Sequence, residues 1–127
     1  MLIKNHYHTK QYKVWLENGI ICASWREDSI ITLKLVKEMV KKGLELTDGA
    51  IRPVFVDLTG MHVINGDARK YLAGSNAAKY INAGAIYVKE PLQYLAGQVF
   101  IYVDEPSLPC KLFTERDSAM RWLELFK

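Results

Sequence analysis

The chain has 127 residues, of which 50% are hydrophobic and 24% charged, with a formal net charge of +3. That length is enough for one domain, residues 1–127, with a real core, and the composition is that of an ordinary soluble globular protein. The positive balance is too mild to imply nucleic acid, because no dense Lys/Arg stripe interleaved with aromatics is present.

Two cysteines, Cys22 and Cys110, stand in apolar, strand-like contexts and read as reduced, buried thiols. A disulfide between them would need an oxidising compartment. The opening Met1-Leu2-Ile3-Lys4-Asn5-His6 lacks the apolar core of a signal peptide. The longest apolar stretch, Val99-Phe100-Ile101-Tyr102-Val103, is far too short to span a membrane. A cytoplasmic protein is expected.

In chain order, residues 3–9 either add a ragged strand or fray. Tyr12-Lys13-Val14-Trp15-Leu16 alternates, Ile20 to Trp25 is strand-like, and Asn18-Gly19 between them is the strongest short hairpin signal, since both turn positions favour positive φ. From Ile31 to Leu46 the period becomes helical: Leu33, Val36, Val40 and Leu44 form one stripe, widened by Leu35 and Met39. Lys34, Lys37, Glu38, Lys41, Lys42 and Glu45 occupy the other side, which reads as a solvated face. Asp48-Gly49 stops this helix.

Pro53 marks the entry to an apolar strand from Val54 to Leu58, followed by a polar turn and a short helix from about Asp67 to Ala73. Gly74 ends that helix, and Ser75 is expected to cap a further short piece through Lys79, Tyr80 and Ile81. Ala85-Ile86-Tyr87-Val88 reads as the next strand. Pro91 suits the first turn of a helix running through Leu92, Leu95, Ala96, Val99, Phe100 and Val103. This helix has almost no polar face, so it is either buried on two sides or exposes a contact surface. Cys110 to Phe113 reads as the last strand. Thr114 to Asp117 resembles a capping box, and Ala119, Trp122, Leu123 and Phe126 form the core stripe of a final helix.

Strands alternating with helices argue for parallel pairing by right-handed crossovers, with the opening hairpin as an antiparallel edge. The fold class expected is α/β: one mixed, mostly parallel sheet of four to six strands with four to five helices. In such sheets ligands gather where strand carboxyl ends meet helix N-termini. Here that place carries Asp57, Thr59, His62, Asn65, Asp67 and Arg69.

The words of this stretch carry a family resemblance. Val56-Asp57-Leu58-Thr59-Gly60-Met61 and then Val63-Ile64-Asn65-Gly66-Asp67 resemble the STAS-like fold of anti-sigma-factor antagonists, in which Asp-Leu-Ser/Thr-Gly-Val is followed by Asp-Ser-Ser/Thr-Gly at a helix start. Pro91, Lys111 with Phe113, and Ala119 with Trp122-Leu123 are similar to small bacterial STAS-like proteins grouped with the CRAL-TRIO lipid-carrier fold. The resemblance implies a non-enzymatic regulatory module that binds a protein partner or its own copy. In the antagonists a partner kinase phosphorylates a serine at the helix start; here Gly66 and Asp67 stand at those positions, so the hydroxyl is missing. Asp67 then reads either as a fixed negative charge in place of the phosphate or as an ordinary first-turn acid.

The remaining constellations are weak. Asp57, at a strand's carboxyl end, reads as a catalytic acid, a metal ligand or a ligand clamp or, more plainly, as a hydrogen-bond acceptor for its own loop. Arg69 can pair with Asp57 or Asp67, or bind an anion. His62 lies near carboxylates, but no nucleophile elbow accompanies it, and His6 and His8 lack a third metal ligand. No phosphate-binding glycine fingerprint is present, so neither cofactor nor metal is expected. Two binding readings follow. One is a protein-interaction module, with possible homodimerisation, using the helix bearing Leu92, Leu95, Val99 and Phe100. The other is a small carrier of a lipid or apolar ligand, with that helix as lid and Arg69 or Lys79 meeting a polar head group.

Overall fold

The computed structural model describes residues 6–127. It opens with an antiparallel meander of β1 (His6–His8), β2 (Tyr12–Glu17) and β3 (Ile20–Trp25). Asn18 and Gly19 join β2 to β3 with φ of 52° and 80°, the left-handed pair that a two-residue hairpin requires. β1 supplies the ragged strand expected near the start, whose residues 3–5 lie outside the described residues. The chain continues through β4 (Ser29–Ile31), α1 (Leu33–Thr47), β5 (Arg52–Asp57), β6 (Met61–Ile64), α2 (Gly66–Ala73), α3 (Ser75–Ala78) and β7 (Ile81–Tyr87). It closes with α4 (Pro91–Tyr102), β8 (Cys110–Phe113), α5 (Arg116–Leu123) and a terminal 3-10 turn, Glu124–Phe126.

The main sheet has six strands in the order β1-β2-β3-β5-β7-β8, with β3, β5, β7 and β8 mutually parallel. This is the mixed sheet with an antiparallel edge that the element order predicts. The register between β5 and β7 shifts between Arg52 and Val54, around Pro53, which has no N–H to give a ladder. Among the described residues five helices flank the sheet, with α5 alone on one face.

Several local expectations are corrected. The stretch after Asp57 is more than a turn: β6 pairs in parallel with β4 as a separate two-stranded sheet. Ile31 therefore belongs to β4, and α1 starts after Thr32, whose hydroxyl oxygen accepts from the Leu35 N–H at 3.3 Å. Ser75 is the first residue of α3 and not its cap, which is Gly74. Ile81 is not helical; it begins β7, because the strand needs its full length to pair β5 back to Arg52. The capping box at Thr114 does not form, since Glu115 is the N-cap of α5 and makes no side-chain cap bond.

Strand alternation divides the core in two. Val14, Ile21, Val36, Ile31 and Ile86 pack on the side of α1, α2 and α4. Ile20, Cys22, Phe55, Ala85 and Leu123 pack under α5, where Trp122 stacks edge-on against Phe126 at 4.9 Å. On α1, Lys34, Lys37 and Lys41 are solvated as expected. Lys42 instead donates to the Tyr12 hydroxyl at 2.8 Å, and that hydroxyl donates to Glu38 at 3.1 Å. Among the described residues no helix is long and apolar enough to cross a membrane.

Both cysteines are free thiols, Cys22 buried as expected but Cys110 only half-buried, on the short strand β8. Burial pushes Cys22 up to about 12 and Cys110 up to about 11. The thiolate is the reacting form, so both are held in the unreactive state at neutral pH. At pH 8 the thiolate fractions alone should slow reaction with a disulfide reagent by roughly a few hundredfold at Cys110 and roughly a few thousandfold at Cys22, relative to free cysteine. Full reactivity of both thiols should return in denaturant; rapid stoichiometric labelling of the native protein would contradict this.

Candidate functional site

The β5–β6 turn is closed on itself by short side chains. Asp57, the last residue of β5, accepts from the Thr59 backbone N–H at 2.8 Å and from the Thr59 hydroxyl at 2.6 Å. This is the loop-fixing role available to an Asp at a turn. It engages the one hydroxyl of the turn. Gly60 then passes so close to the end of β3 that any Cβ there would collide with the Trp25 carbonyl oxygen. That approach lets the Ser29 N–H donate to the Gly60 carbonyl at 2.9 Å, which starts the β4–β6 pairing.

A residue that the sequence reading overlooked joins this turn to α4. Gln93 is 4% exposed, yet both its amide oxygen and its amide nitrogen are bonded. Its Nε2 donates to the Thr59 carbonyl at 2.9 Å, while its Oε1 accepts from the backbone N–H groups of Lys89 at 2.9 Å and Glu90 at 3.1 Å. The available signal was spacing: Glu90 and Gln93 flank Pro91 as N-cap and third position of the helix.

The first turn of α2 carries Asn65 as N-cap, with no side-chain cap bond, and Asp67, whose Oδ1 accepts from the Ala68 N–H at 2.8 Å. Both are exposed, as is His62 on β6. No hydrogen bond joins His62 to a carboxylate among the described residues. Arg69 pairs with neither Asp57 nor Asp67. Its Nε donates to Asp104, just beyond α4, in a pair whose carboxylate side chain is only 2% exposed. Lys79 is not brought to this place: it lies in the turn before β7, at the amino end of the parallel strands, with Nζ 5.5 Å from the Tyr80 ring centroid. Among the described residues no group of three or more His, Cys, Asp or Glu side chains is placed to hold a metal ion.

α4 is thus tied at its start by Gln93 and at its end by Asp104. Between those ties its two faces differ. Leu92 and Leu95 are 54% and 56% exposed, and Tyr102 and Val103 follow at 74% and 67%. Phe100 and Ala96 turn inward with the core, and Val99 is half-buried. The inner face covers a cavity of about 160 Å³ between the sheet and α1, α2 and α3, floored by Val54, Val56 and Ile86 and walled by Met39, Leu72 and Phe100. Arg69 is the one charged residue lining it. Native interiors contain few voids larger than a water molecule. This space is larger than close packing ordinarily leaves between a sheet and its helices.

The two acids near Arg69 are expected to behave differently. Asp104→Asn removes the partner of a mostly buried guanidinium and should lower unfolding free energy by about 2–3 kcal/mol. Asp67→Asn alters only a first-turn charge and should cost about 0.5 kcal/mol. Urea midpoints of the two variants decide this, and equal losses would contradict the pairing.

Comparison with known structures places the fold. A crystal structure of an uncharacterized protein from the DUF3478 family with a SpoIIAA-like fold, from Shewanella loihica PV-4, matches with a TM-score of 0.66 at 17% identity, covering 97% of this chain and 98% of that one. The crystal structure of an anti-sigma factor antagonist from Mycobacterium paratuberculosis matches with a TM-score of 0.59 at 14% identity, covering 87% and 91%. At such identities the likeness shows the fold alone, and it is the STAS-like fold that the turn motif implied. No curated protein matches in sequence. Residues 14–127, from within β2 through the terminal 3-10 turn, match the family described as Domain of unknown function (DUF7793), and the chain belongs to that family.

Proposed function

We propose that this chain is a non-enzymatic interaction module, one domain over residues 1–127, that docks a protein partner or a second copy of itself on the outer face of α4. The observation that carries the reading is the face itself. No charged side chain occurs from Pro91 to Val103, and Leu92, Leu95, Tyr102 and Val103 are all exposed. Exposed apolar patches of this kind mark contact surfaces. Ile30 and Val63, paired across the β4–β6 sheet, are exposed as well.

The residues expected to carry chemistry are engaged elsewhere, which supports a binding role over catalysis: Asp57 holds Thr59, and Arg69 holds Asp104. The anti-sigma factor antagonist that shares the fold is named for action on another protein, which also favours a protein partner. Asp57, Thr59, His62, Asn65 and Asp67 then form the polar flank of that surface, and the reading places the module in the cytoplasm.

A second reading is a carrier of an apolar ligand with α4 as its lid. The cavity beneath that helix favours it. Arg69 is the head-group candidate that lines the cavity, whereas Lys79 is exposed beside Tyr80.

Leu92→Asp with Leu95→Asp tests the first reading. Both side chains are more than half exposed, so the double variant should stay folded, with stability within about 1 kcal/mol of the parent. Phe100 is unsuited to this test because it packs in the core. In light scattering and affinity capture, the parent should self-associate or retain a partner and the variant should do neither. Identical behaviour of the two proteins would sink the reading.

A further inference from the structure

Resting on the carrier reading and narrowing it, we propose that the cavity under α4 is a binding site for a small, neutral, apolar molecule about the size of one aromatic ring, and not for a lipid chain. Volume is the first argument. About 160 Å³ is close to the ~150 Å³ apolar cavity known to take up benzene, and lies well under the ~300 Å³ at which ordinary ligand pockets begin. An acyl chain with its head group exceeds this space and would have to run out through its partly open side into water.

Chemistry is the second argument. Apart from Arg69 the lining presents no charged side chain, and the Arg69 guanidinium is already bonded to Asp104. A ligand carrying a charge or several hydrogen-bonding groups would lose its water and gain no partner. Water itself is poorly suited, because a stable buried water needs two to four polar partners.

The third argument is how the space arises. The void is bounded by small residues on separate elements: Ala23 on β3, Gly43 on α1, Ala77 on α3 and Ala96 on α4. One larger side chain at any of them would enter it. On the lid, Gly97 lets α4 settle on Leu112, with which a Cβ would collide, so the helix covers the space without filling it. Cys110 lies on the lining and supplies a reporter.

The probe is toluene, titrated into the full chain while labelling of the Cys110 thiol is followed. Cys110 is a half-buried thiol on the cavity wall, so its labelling should slow severalfold when toluene stands at ten times its Kd, because the bound ring covers the cavity side of the thiol and holds the surrounding structure closed. Ala96→Leu should abolish this protection while keeping or raising Tm. Should that variant fail to fold, Leu72→Ala provides the converse test: the enlarged cavity should accept naphthalene, which the parent excludes.

Decanoate serves as the lipid probe, together with native mass spectrometry of the freshly purified protein. Protection by toluene without protection by decanoate supports the proposal. Protection by decanoate, or a co-purified lipid whose mass vanishes on denaturation, overturns it while leaving the carrier reading standing. Protection by neither overturns both.

Discussion

The buried amide of Gln93 is the contact on which the upper part of this molecule depends. A Gln withdrawn from water is stable only when its donor and acceptor are both satisfied. Here one end takes the carbonyl of Thr59 and the other takes two backbone N–H groups at the start of α4. Loss of the side chain would leave three backbone groups to find other partners. Because the amide bridges the β5–β6 turn to the helix, it fixes where α4 begins relative to the sheet. The Arg69–Asp104 pair fixes where it ends. The outer apolar face and the covered cavity both follow from that placement. Neither is a property of the helix sequence alone.

What could be read in the sequence was governed by range. The β2–β3 hairpin announced itself through Asn18-Gly19, whose positive φ values are a local demand. The span of α1 followed from a stripe repeated over several turns, and Cys110 to Phe113 from a short apolar run between breakers. β4 and β6 were not legible, being three and four residues long and paired only with each other across the intervening α1 and β5. The true start of β7 was hidden because Asn82, Ala83 and Gly84 are poor strand formers, accepted there because small side chains fit beneath α5 and beside Cys110. Tertiary fit overrode propensity.

The candidate site divides along the same line. Asp57 and Thr59 are neighbours, so their mutual bond was open to inference. The Arg69–Asp104 pair spans 35 positions and no local pattern foretold it. Lys79 was drawn towards the site by its charge, but topology puts it at the other end of the sheet. A shared fold at 14–17% identity preserves layers and strand order and leaves side chains at the loops free to differ. That is why the exposed face of α4 and the interior space beneath it carry more functional information about this chain than its outline does.

The strand order has a consequence for how the protein is made. Read across the main sheet, β1-β2-β3-β5-β7-β8 rises with chain position, without one reversal. No strand has to insert between two that are already paired. Each new strand leaving the ribosome meets an edge that is complete on its other side, beginning from a hairpin that needs only a two-residue turn. The costs of closing the crossovers are met one at a time, in the order of synthesis. The growing sheet keeps a single advancing edge from β2 to β8.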